Sequence, residues 1–397
     1  MHNGKFVFSQ LLDFLDKDVF LRISNKYNGN RHVKFFTCWN QLAVLMFGQL
    51  SNRESLRDLA LATQALSRKA FHLGFGKYAT KSNLSKANNG RDYHIFEEFA
   101  YRVIAEAREC RATDIFKLNG HVYAFDSTTI ELCLNAFKWA VYRKNQGKGG
   151  IKVHTLYDIE TSIPTFFHIT EARVNDMRAM DAIPYEENSF YIFDRGYNDF
   201  KRLYAIESIG AYFVVRGKKN NDFRPMKWKR RFPPGSGILS DAIGYMNSQL
   251  TMGKYPDKVR RVIYWDEESK RKFIFFTNAF SEDDRLDISP VMVAELYHNR
   301  WQIELFFKWL KQHLKIKKFW GTSENAVRIQ IYSAITAYCM MAIVQKKMRI
   351  QRPIYEMLQL VSVSLTETLP LGELFDKPNN NIINELDDSS EPTLFNC

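Results

Sequence analysis

Two aspartates each follow a run of apolar and aromatic residues of the kind that forms a buried strand. Asp126 follows the run in HVYAFDST, and Asp194 follows the run in FYIFDRGY. A charge at the end of a buried strand must meet a metal ion, a cation or a helix N-terminus, because an unpaired buried charge is costly. A structural cap would explain one such aspartate, whereas two of them followed by a third acid favour a catalytic site.

The third acid, Glu304, lies in a segment with helical spacing. Tyr297, Arg300, Glu304, Lys308 and Lys311 fall at offsets 0, 3, 7, 11 and 14. On one continuous helix their side chains share an arc of roughly 80°. Ordinary ion pairs on a solvated helix would give the same spacing. The two aspartates upstream make a catalytic role the preferred interpretation.

Three carboxylates of this kind suit hydrolysis or transesterification of a phosphodiester. Two metal ions roughly 3.5 to 4 Å apart activate the attacking oxygen and stabilise the leaving oxygen. Mg²⁺ prefers carboxylate oxygens to thiolates or imidazoles. We therefore predict that Asp126, Asp194 and Glu304 hold two Mg²⁺ ions, for which Mn²⁺ is expected to substitute. The other four residues of the same segment are the predicted DNA-binding residues, and the cations among them would bind flanking backbone phosphates: Tyr297, Arg300, Lys308 and Lys311.

The charge of the chain favours a polyanionic partner such as double-stranded DNA. Its 56 lysines and arginines against 44 aspartates and glutamates give a formal net charge of +12, which promotes binding through counterion release. Residues 216–231 hold eight basic residues against one acid. A second run holds only lysines as charged residues: Lys308, Lys311, Lys315, Lys317 and Lys318. Solvated surface segments are the alternative interpretation of both runs.

The composition otherwise indicates a folded protein of a reducing compartment. With 397 residues, 45% of them apolar, the chain can bury the cores of two or three domains. Five scattered cysteines form neither a zinc-ligand pattern nor an evident disulfide framework, which suits the cytoplasm. We find no signal peptide and no stretch of roughly 20 uninterrupted apolar residues, so we expect no membrane partner.

The spacing of apolar residues predicts helices at both ends of the chain. Residues 1–112 have helical spacing throughout. Two segments there, 53–63 and 80–89, are compatible with a helix-turn-helix, although many small helical domains look the same. Helical spacing resumes at about residue 290 and continues to about 364. We expect a DNA-binding domain at the first end and a frayed acidic tail at the second.

The middle of the chain has the spacing of short strands, at 121–125, 151–157, 165–170, 190–193 and 211–215. Helices fit between the later strands, and residues 217–278 read as a mostly β insertion. Three hairpin-like strands followed by alternating helix and strand are the order of a ribonuclease-H-like core.

This order of elements predicts an α/β fold in three parts. A helical N-terminal domain covers 1–112, and a ribonuclease-H-like catalytic domain with its β insertion covers 113–345. A helical C-terminal region with its acidic tail covers 346–397.

The motifs resemble those of a known family. The spacing Tyr-x2-Arg-x3-Glu-x6-Lys, present as Tyr297, Arg300, Glu304 and Lys311, is similar to the signature of the IS4 family of bacterial insertion-sequence transposases. Together with the FDST and FDRGY motifs it resembles the DDE triad of that family. The resemblance covers about residues 115–345, and the opening stretch GKFVFSQLLDFL resembles the N-terminal domain of one branch of these enzymes.

The resemblance implies a Mg²⁺-dependent DNA transposase that binds terminal inverted repeats, excises the element and inserts it elsewhere. It implies a homodimer that holds two ends and, in relatives, a hairpin intermediate. It also implies that an aromatic residue of the insertion stabilises a flipped base, for which Trp265 and Trp228 are candidates, although such tryptophans are as often core residues. Arg195 either contacts DNA or shapes the turn that presents Asp194. We expect a cytoplasmic bacterial protein at the nucleoid.

Two other functions are open at this point. A regulatory DNA-binding protein with an inactive core would share the basic charge, but its catalytic acids would have no reason to be intact. A nuclease or resolvase on the same fold would cut DNA without strand transfer. Cleavage and integration assays separate these two from a transposase.

Overall fold

The computed structural model describes residues 4–77, 79–111, 115–133, 135–143, 148–218, 221–229, 232–280, 286, 288–313 and 319–376. Several residues of the predicted basic runs lie outside the described residues, namely Lys219, Arg230, Arg231, Lys315, Lys317 and Lys318. The predicted acidic tail also lies outside them. Helices fill both ends of the described chain, and one large sheet fills its middle.

The helices described before residue 112 are α1 (Val7–Leu12), α2 (Lys17–Lys26), α3 (Cys38–Leu50), α4 (Leu56–Ala65), α5 (Lys81–Gly90) and α6 (His94–Arg111). Asp16, Thr37, Ser55 and Thr80 cap four of them by accepting from the backbone N–H three residues on. The predicted helical structure of this part is confirmed. The helix-turn-helix is wrong, because residues 66–80 separate α4 from α5, whereas that motif has a turn of about three or four residues.

The sheet begins with β1 (Val122–Cys133), β2 (Val141–Arg143), β3 (Lys148–Asp158), β4 (Ile163–Glu171), β5 (Phe190–Phe193) and β6 (Tyr212–Arg216). β3 pairs antiparallel with β1 and β4, whereas β5 lies parallel to β1 and β6 parallel to β5. Helices α7 (Asp176–Ala179) and α8 (Phe200–Ser208) lie in the connections to β5 and β6. Three antiparallel strands followed by two parallel ones, in the order β4-β3-β1-β5-β6, confirm the ribonuclease-H-like core.

The insertion extends the same sheet. It consists of β7 (Phe223–Lys229), β8 (Ile238–Met246), the short helix α9 (Gln249–Met252), β9 (Val259–Asp266) and β10 (Arg271–Thr277). Its neighbouring strands pair antiparallel, and β10 joins the edge of β6. The mostly β insertion is confirmed. The hydrogen bonds to β6 attach it to the strands of the core.

The C-terminal helices are α10 (Pro290–Asn299), α11 (Trp301–His313), α12 (Glu324–Lys347), α13 (Ile354–Ser364) and α14 (Leu371–Phe375). The prediction of one continuous helix from Tyr297 to Lys311 is wrong at Arg300, which lies in a turn between α10 and α11. The N–H of Arg300 donates to the carbonyl of Tyr297, and the N–H of Ile303 donates to the carbonyl of Arg300. These bonds between residues three apart tighten the backbone there.

Helix α12 joins the two helical ends of the chain into one body. It packs against α6 and α3, and Tyr332 donates a hydrogen bond to Glu97. By length and composition α12 is able to cross a membrane, but 94% of its most apolar stretch is buried inside the protein, as in a core helix. Because α12 crosses residue 345 and shares one hydrophobic cluster with the N-terminal helices, the division into three domains stays a prediction.

Hydrophobic residues cover both faces of the sheet. Ala124 and Ile192 face the cluster that includes the N-terminal and C-terminal helices. Their neighbours Phe125 and Phe193 face a second cluster with α8. Successive strand residues point to opposite faces, so the position of a residue along β1 or β5 decides which set of helices it meets.

Candidate active site

Asp126 and Asp194 lie side by side where the parallel pairing of β1 and β5 ends. Phe125 and Phe193 are the last paired residues of the two strands, and each aspartate is the next residue along. Neighbouring strands lie about 4.8 Å apart, so this register brings the two carboxylates to the same level. The prediction that Asp126 ends a strand is wrong, because β1 continues to Cys133 through its pairing with β3. Asp126 instead marks the place where β1 loses β5 as a neighbour.

Tyr297 of α10 donates a hydrogen bond to Asp194, with 3.0 Å between Oη and Oδ1. Its ring packs against Phe275 and Phe273 of β10, at centroid distances of 4.7 and 6.3 Å. Burial raises the pKa of Tyr297, and the charge of Asp194 raises it further. The hydroxyl therefore stays protonated as a donor, and the insertion supports the residue that orients the second aspartate.

Arg300 joins the other two acids. One guanidinium nitrogen donates to Asp126 Oδ2 at 3.0 Å, and the other donates to Glu304 Oε1 at 2.5 Å. The Arg300 side chain is 11% exposed, against 24% for Asp126 and 58% for Glu304. Burial lowers the pKa of Arg300, but Tyr297 and the two acids raise it more, so the net shift is upward. The arginine is therefore a fixed positive charge between two carboxylates.

The three carboxylates are close enough to affect one another. Burial raises the pKa of Asp126 to about 6, and the charges of Asp194 and Glu304 raise it as well, whereas the N–H of Ser127 and the charge of Arg300 lower it. These four side chains comprise one guanidinium and three carboxyl groups. The cluster therefore carries an excess of acid that a bound cation would relieve.

The donor set fits a hard divalent cation. Carboxylate oxygens are the ligands that Mg²⁺ prefers. In this structure the positive guanidinium of Arg300 lies between the carboxylates of Asp126 and Glu304. As they stand, no three His, Cys, Asp or Glu side chains of the described residues are grouped to hold a metal ion. Glu304 is exposed to solvent, whereas Asp126 and Asp194 are half-buried.

The other predicted DNA-binding residues lie near the triad in the chain, on two elements. Arg195 is exposed and begins the short 3₁₀ helix that follows Asp194. Lys308 is exposed on α11, one turn after Glu304, and Lys311 is partly buried on the same helix. Their contact with DNA stays a prediction.

The two candidate tryptophans lie on the insertion. Trp265 of β9 is 37% exposed and Trp228 of β7 is 49% exposed. Tyr264 pairs with Phe273, which packs against Tyr297. The adjacent Trp265 therefore points to the opposite face of the sheet, away from the face that carries Tyr297. A role of either tryptophan with a flipped base stays a prediction.

Sequence reasoning missed three residues that contact, or follow in the chain, a residue next to the triad. The guanidinium of Arg216 lies 4.6 Å from the ring of Phe273 and next to the hydroxyl of Tyr297. Trp301 follows Arg300 and is 45% exposed. Asp176 accepts a hydrogen bond from Ser127, the residue after Asp126. Only Arg216 had a sequence signal, as the first residue of a basic run.

Two sequence families match this chain. The family described as transposase DDE domain matches residues 119–340, which is more than half of the chain and includes all three acids. A second family, described as a domain of unknown function (DUF4372), matches residues 3–76. The first match covers the sheet and the helices α10 and α11, and the second covers the helices α1 to α4.

Several proteins with transposase names are similar to this chain. The y4zB protein of Sinorhizobium fredii, whose name assigns it as a transposase, is 34% identical over 257 residues, which cover 64% of this chain and 69% of that protein. A protein named for the insertion sequence element IS4SA of Synechocystis is 27% identical, over 77% of this chain and 79% of its own. A third, named for IS5377 of Geobacillus stearothermophilus, is 28% identical over 66% of each chain.

A solved structure covers nearly the whole chain. The piggyBac transposase, in a synaptic complex with hairpin DNA, aligns with 96% of this chain and 82% of its own at a TM-score of 0.46 and 11% identity. The family match and the bacterial relatives carry the assignment without it, and they confirm the resemblance to insertion-sequence transposases. DDE transposase domains generally use divalent metal ions. This chain belongs to the transposase DDE domain family and is a DNA transposase.

Proposed function

We propose that this transposase binds the terminal inverted repeats of an insertion element, cleaves the DNA at their ends and transfers the 3′ hydroxyl ends to target DNA. Asp126, Asp194 and Glu304 are the proposed ligands of two Mg²⁺ ions, for which Mn²⁺ substitutes. The shared register of the two aspartates, with the Arg300 bridge to Glu304, supports this most directly. When bound, the ions would activate the attacking oxygen and stabilise the leaving oxygen.

The side chains around the triad have separate tasks in this proposal. Tyr297 keeps Asp194 oriented by donating a hydrogen bond from a hydroxyl that stays neutral. In the absence of DNA, the charge of Arg300 offsets the negative charges of Asp126 and Glu304. A backbone phosphate can replace Glu304 as its partner, because a guanidinium forms bidentate hydrogen bonds with carboxylates and with phosphates. Lys308, Lys311 and Arg195 would bind phosphates, which positions DNA without reading its sequence.

We assign sequence reading to the N-terminal helices, and to α5 in particular. Its buried side holds Leu84 and Ala87, whereas Ser82, Asn83 and Lys86 are exposed on its other side. Asparagine and lysine side chains are suited to the edges of adenine and guanine in the major groove. Asn83→Ala and Lys86→Ala should therefore weaken binding to the element ends by about 1–3 kcal/mol each, more than binding to unrelated DNA.

Joining two element ends requires two triads, so we propose a homodimer that acts at the bacterial nucleoid. Mixing wild-type protein with an Asp194→Asn variant tests this. If the protein acts as a dimer, the mixture should complete fewer two-ended excisions than the same amount of wild-type protein alone. Independent protomers would show no such deficit.

Base flipping by the insertion is tested separately. A 2-aminopurine at the cleavage position fluoresces when it leaves the stack. If Trp265 or Trp228 holds the flipped base, replacing it with alanine should lower that fluorescence change and leave DNA affinity nearly the same. If both alanine variants show the same fluorescence change as the wild type, neither tryptophan holds the flipped base.

The proposal is tested on a linear duplex that carries the DNA flanking the gene on both sides, with Mg²⁺ or Mn²⁺. Asp126→Asn, Asp194→Asn and Glu304→Gln should each reduce end cleavage at least about 1,000-fold, since metal ligation contributes several kcal/mol to the transition state. Their affinity for the duplex in EDTA should stay the same. Retained cleavage in any variant would remove that residue from the triad.

Glu324→Gln is the matched control for Glu304→Gln. Glu324 also pairs with an arginine four residues away, Arg328, at 2.8 Å, and is 52% exposed. It should cleave like the wild type. Absence of cleavage by the wild type would favour the regulatory DNA-binding protein, and cleavage without insertion into a target plasmid would favour the nuclease.

A further inference from the structure

A cluster of polar side chains lies on the opposite face of β1 from Asp126. Ser127 Oγ donates to Asp176 Oδ1 at 2.8 Å. Lys152 Nζ lies 3.1 Å from the same oxygen, and Nδ1 of His154 lies 3.7 Å from it. Ser127 and His154 face each other across the β1–β3 register. Residues from two neighbouring strands therefore converge on one carboxylate oxygen.

The segment that carries Asp176 is tied to the sheet by further contacts. Lys152 Nζ donates to the carbonyl of Val174 at 2.9 Å, so this lysine holds the chain just before α7 as well as the carboxylate. His154 is fully buried, and its Nε2 lies 3.0 Å from Thr170 Oγ1. Asp176 therefore has a fixed place relative to β1 and β3.

This cluster reaches Asp126 through Ser127. The backbone N–H of Ser127 donates to Asp126 Oδ1 at 2.8 Å, and its hydroxyl is held by Asp176. The parallel pairing of β1 with β5 ends at Phe125, so at Ser127 the strand that pairs with β1, among those the structure describes, is β3. The contact with Asp176 supplies lateral support where the sheet ladder on that side stops.

We propose that Asp176 is a positioning residue that fixes the carboxylate of Asp126 through Ser127. The inference rests on the proposed function, in which Asp126 is a metal ligand. Asp176 itself touches neither the metal ions nor DNA in this scheme. Its effect is to limit the orientations of Asp126, and residues that orient a metal ligand typically change metal affinity by about 10- to 100-fold.

The test measures Mn²⁺ binding to the metal-free full chain by electron paramagnetic resonance. Ser127→Ala and Asp176→Ala should each weaken Mn²⁺ binding at least about tenfold. Because both substitutions remove the same contact, the double variant should bind Mn²⁺ no more weakly than the single variant with the larger loss. Asp176→Asn keeps an acceptor for the serine hydroxyl and should recover part of the loss. DNA affinity in EDTA should stay the same in all of them.

Asp181→Asn is the matched control. Asp181 lies five residues further in the same segment and pairs with Arg202 at 2.7 Å, so it should bind Mn²⁺ like the wild type. Wild-type affinity in Ser127→Ala, an equal loss in Asp181→Asn, or losses that multiply in the double variant would each overturn the proposal. Ser127→Ala removes a single hydroxyl, so it decides the question should Asp176→Ala fail to fold.

Asp126→Ala separates this inference from the proposed function. If Asp126→Ala binds Mn²⁺ like the wild type, the proposed metal site fails. If Asp126→Ala loses Mn²⁺ binding and Ser127→Ala keeps it, the positioning role of Asp176 fails and the metal site stands.

Discussion

Two arginines of this protein meet carboxylates, and the two sites differ in how completely their polar atoms are satisfied. In the insertion, Arg260 binds both oxygens of Asp241 at 2.8 and 2.7 Å and donates to the carbonyls of Ala279 and Ile288 at 3.0 and 2.6 Å. At the triad, Arg300 divides its donors between two acids. Its Nε is buried without a hydrogen-bond partner among the described residues.

The difference separates a structural ion pair from a functional one. Arg260 and Asp241 are 0% and 1% exposed, and matched charges with matched hydrogen bonds make this pair part of the core. Arg300 instead faces an excess of acid, and Glu304 is open to solvent. A cluster of that kind costs stability in the free protein and is typical of a site that awaits a ligand.

Arg260→Met should destabilise the protein by about 3–5 kcal/mol, because it leaves Asp241 buried and without its partner. Urea unfolding measures the change in the free energy of unfolding. The double variant Arg260→Met with Asp241→Leu should recover most of the loss, since it leaves no buried charge. Cleavage per folded molecule should stay at the wild-type level. A loss below 1 kcal/mol would mean that the pair is not structural.

His154 is buried like Arg260, but unlike that arginine it is neutral at pH 7. Burial lowers its pKa from 6.5 to about 4, as do His168 and Lys152, while Asp176 raises it. As the pH falls, the unfolded chain therefore takes up the proton before the folded protein does. The stability that is present above pH 6.5 is lost as the pH falls from 6.5 to about 4. The loss from pH 7 to pH 5 is about 2 kcal/mol.

His154→Gln, which does not titrate, should remove this part of the pH dependence of unfolding. The readout is the difference between the free energies of unfolding at pH 7 and pH 5, compared with the wild type. His168→Gln is the control, because His168 is only partly buried and should change the difference less. Equal differences in wild type and His154→Gln would contradict the prediction.

Arg300→Gln should strengthen Mn²⁺ binding about tenfold, or about 1.4 kcal/mol, because it removes the positive charge that competes for Asp126 and Glu304. Cleavage should fall at the same time, since the proposed phosphate contact is lost. Isothermal titration measures the affinity. Arg328→Gln is the control, because it breaks an ion pair of the same i,i+4 spacing, with Glu324. It should change neither the Mn²⁺ affinity nor the cleavage. Weaker Mn²⁺ binding in Arg300→Gln would show that Arg300 supports the acids.

Lys308→Gln should have the smallest effect, because Lys308 is exposed on α11. If it binds one DNA phosphate, the slope of log affinity against log salt should become less steep by about 0.9. The loss of affinity should be similar for element ends and unrelated DNA. Filter binding at several salt concentrations gives both values. An unchanged slope would remove Lys308 from the DNA surface.

Local spacing in the sequence was enough to predict most of the helices and strands and to propose the three acids. Strand spacing located β1 and β5 because both are buried and rich in apolar residues, and the period of two is local. The three acids were proposed because Asp126 and Asp194 follow such runs, and because Glu304 lies in a spaced signature. The family match confirms the type of enzyme, which this local information was sufficient to indicate.

Which side chains meet could be seen in the folded chain and not in the sequence. The pairing of Phe125 with Phe193 sets the two aspartates level, and a turn at Arg300 breaks the helix that spacing alone makes continuous. Asp176 lies 49 residues from Ser127 in the chain, and no period or motif connects them. Contacts of this kind depend on strand order and on the path of each connection, and these are fixed by packing across the whole fold.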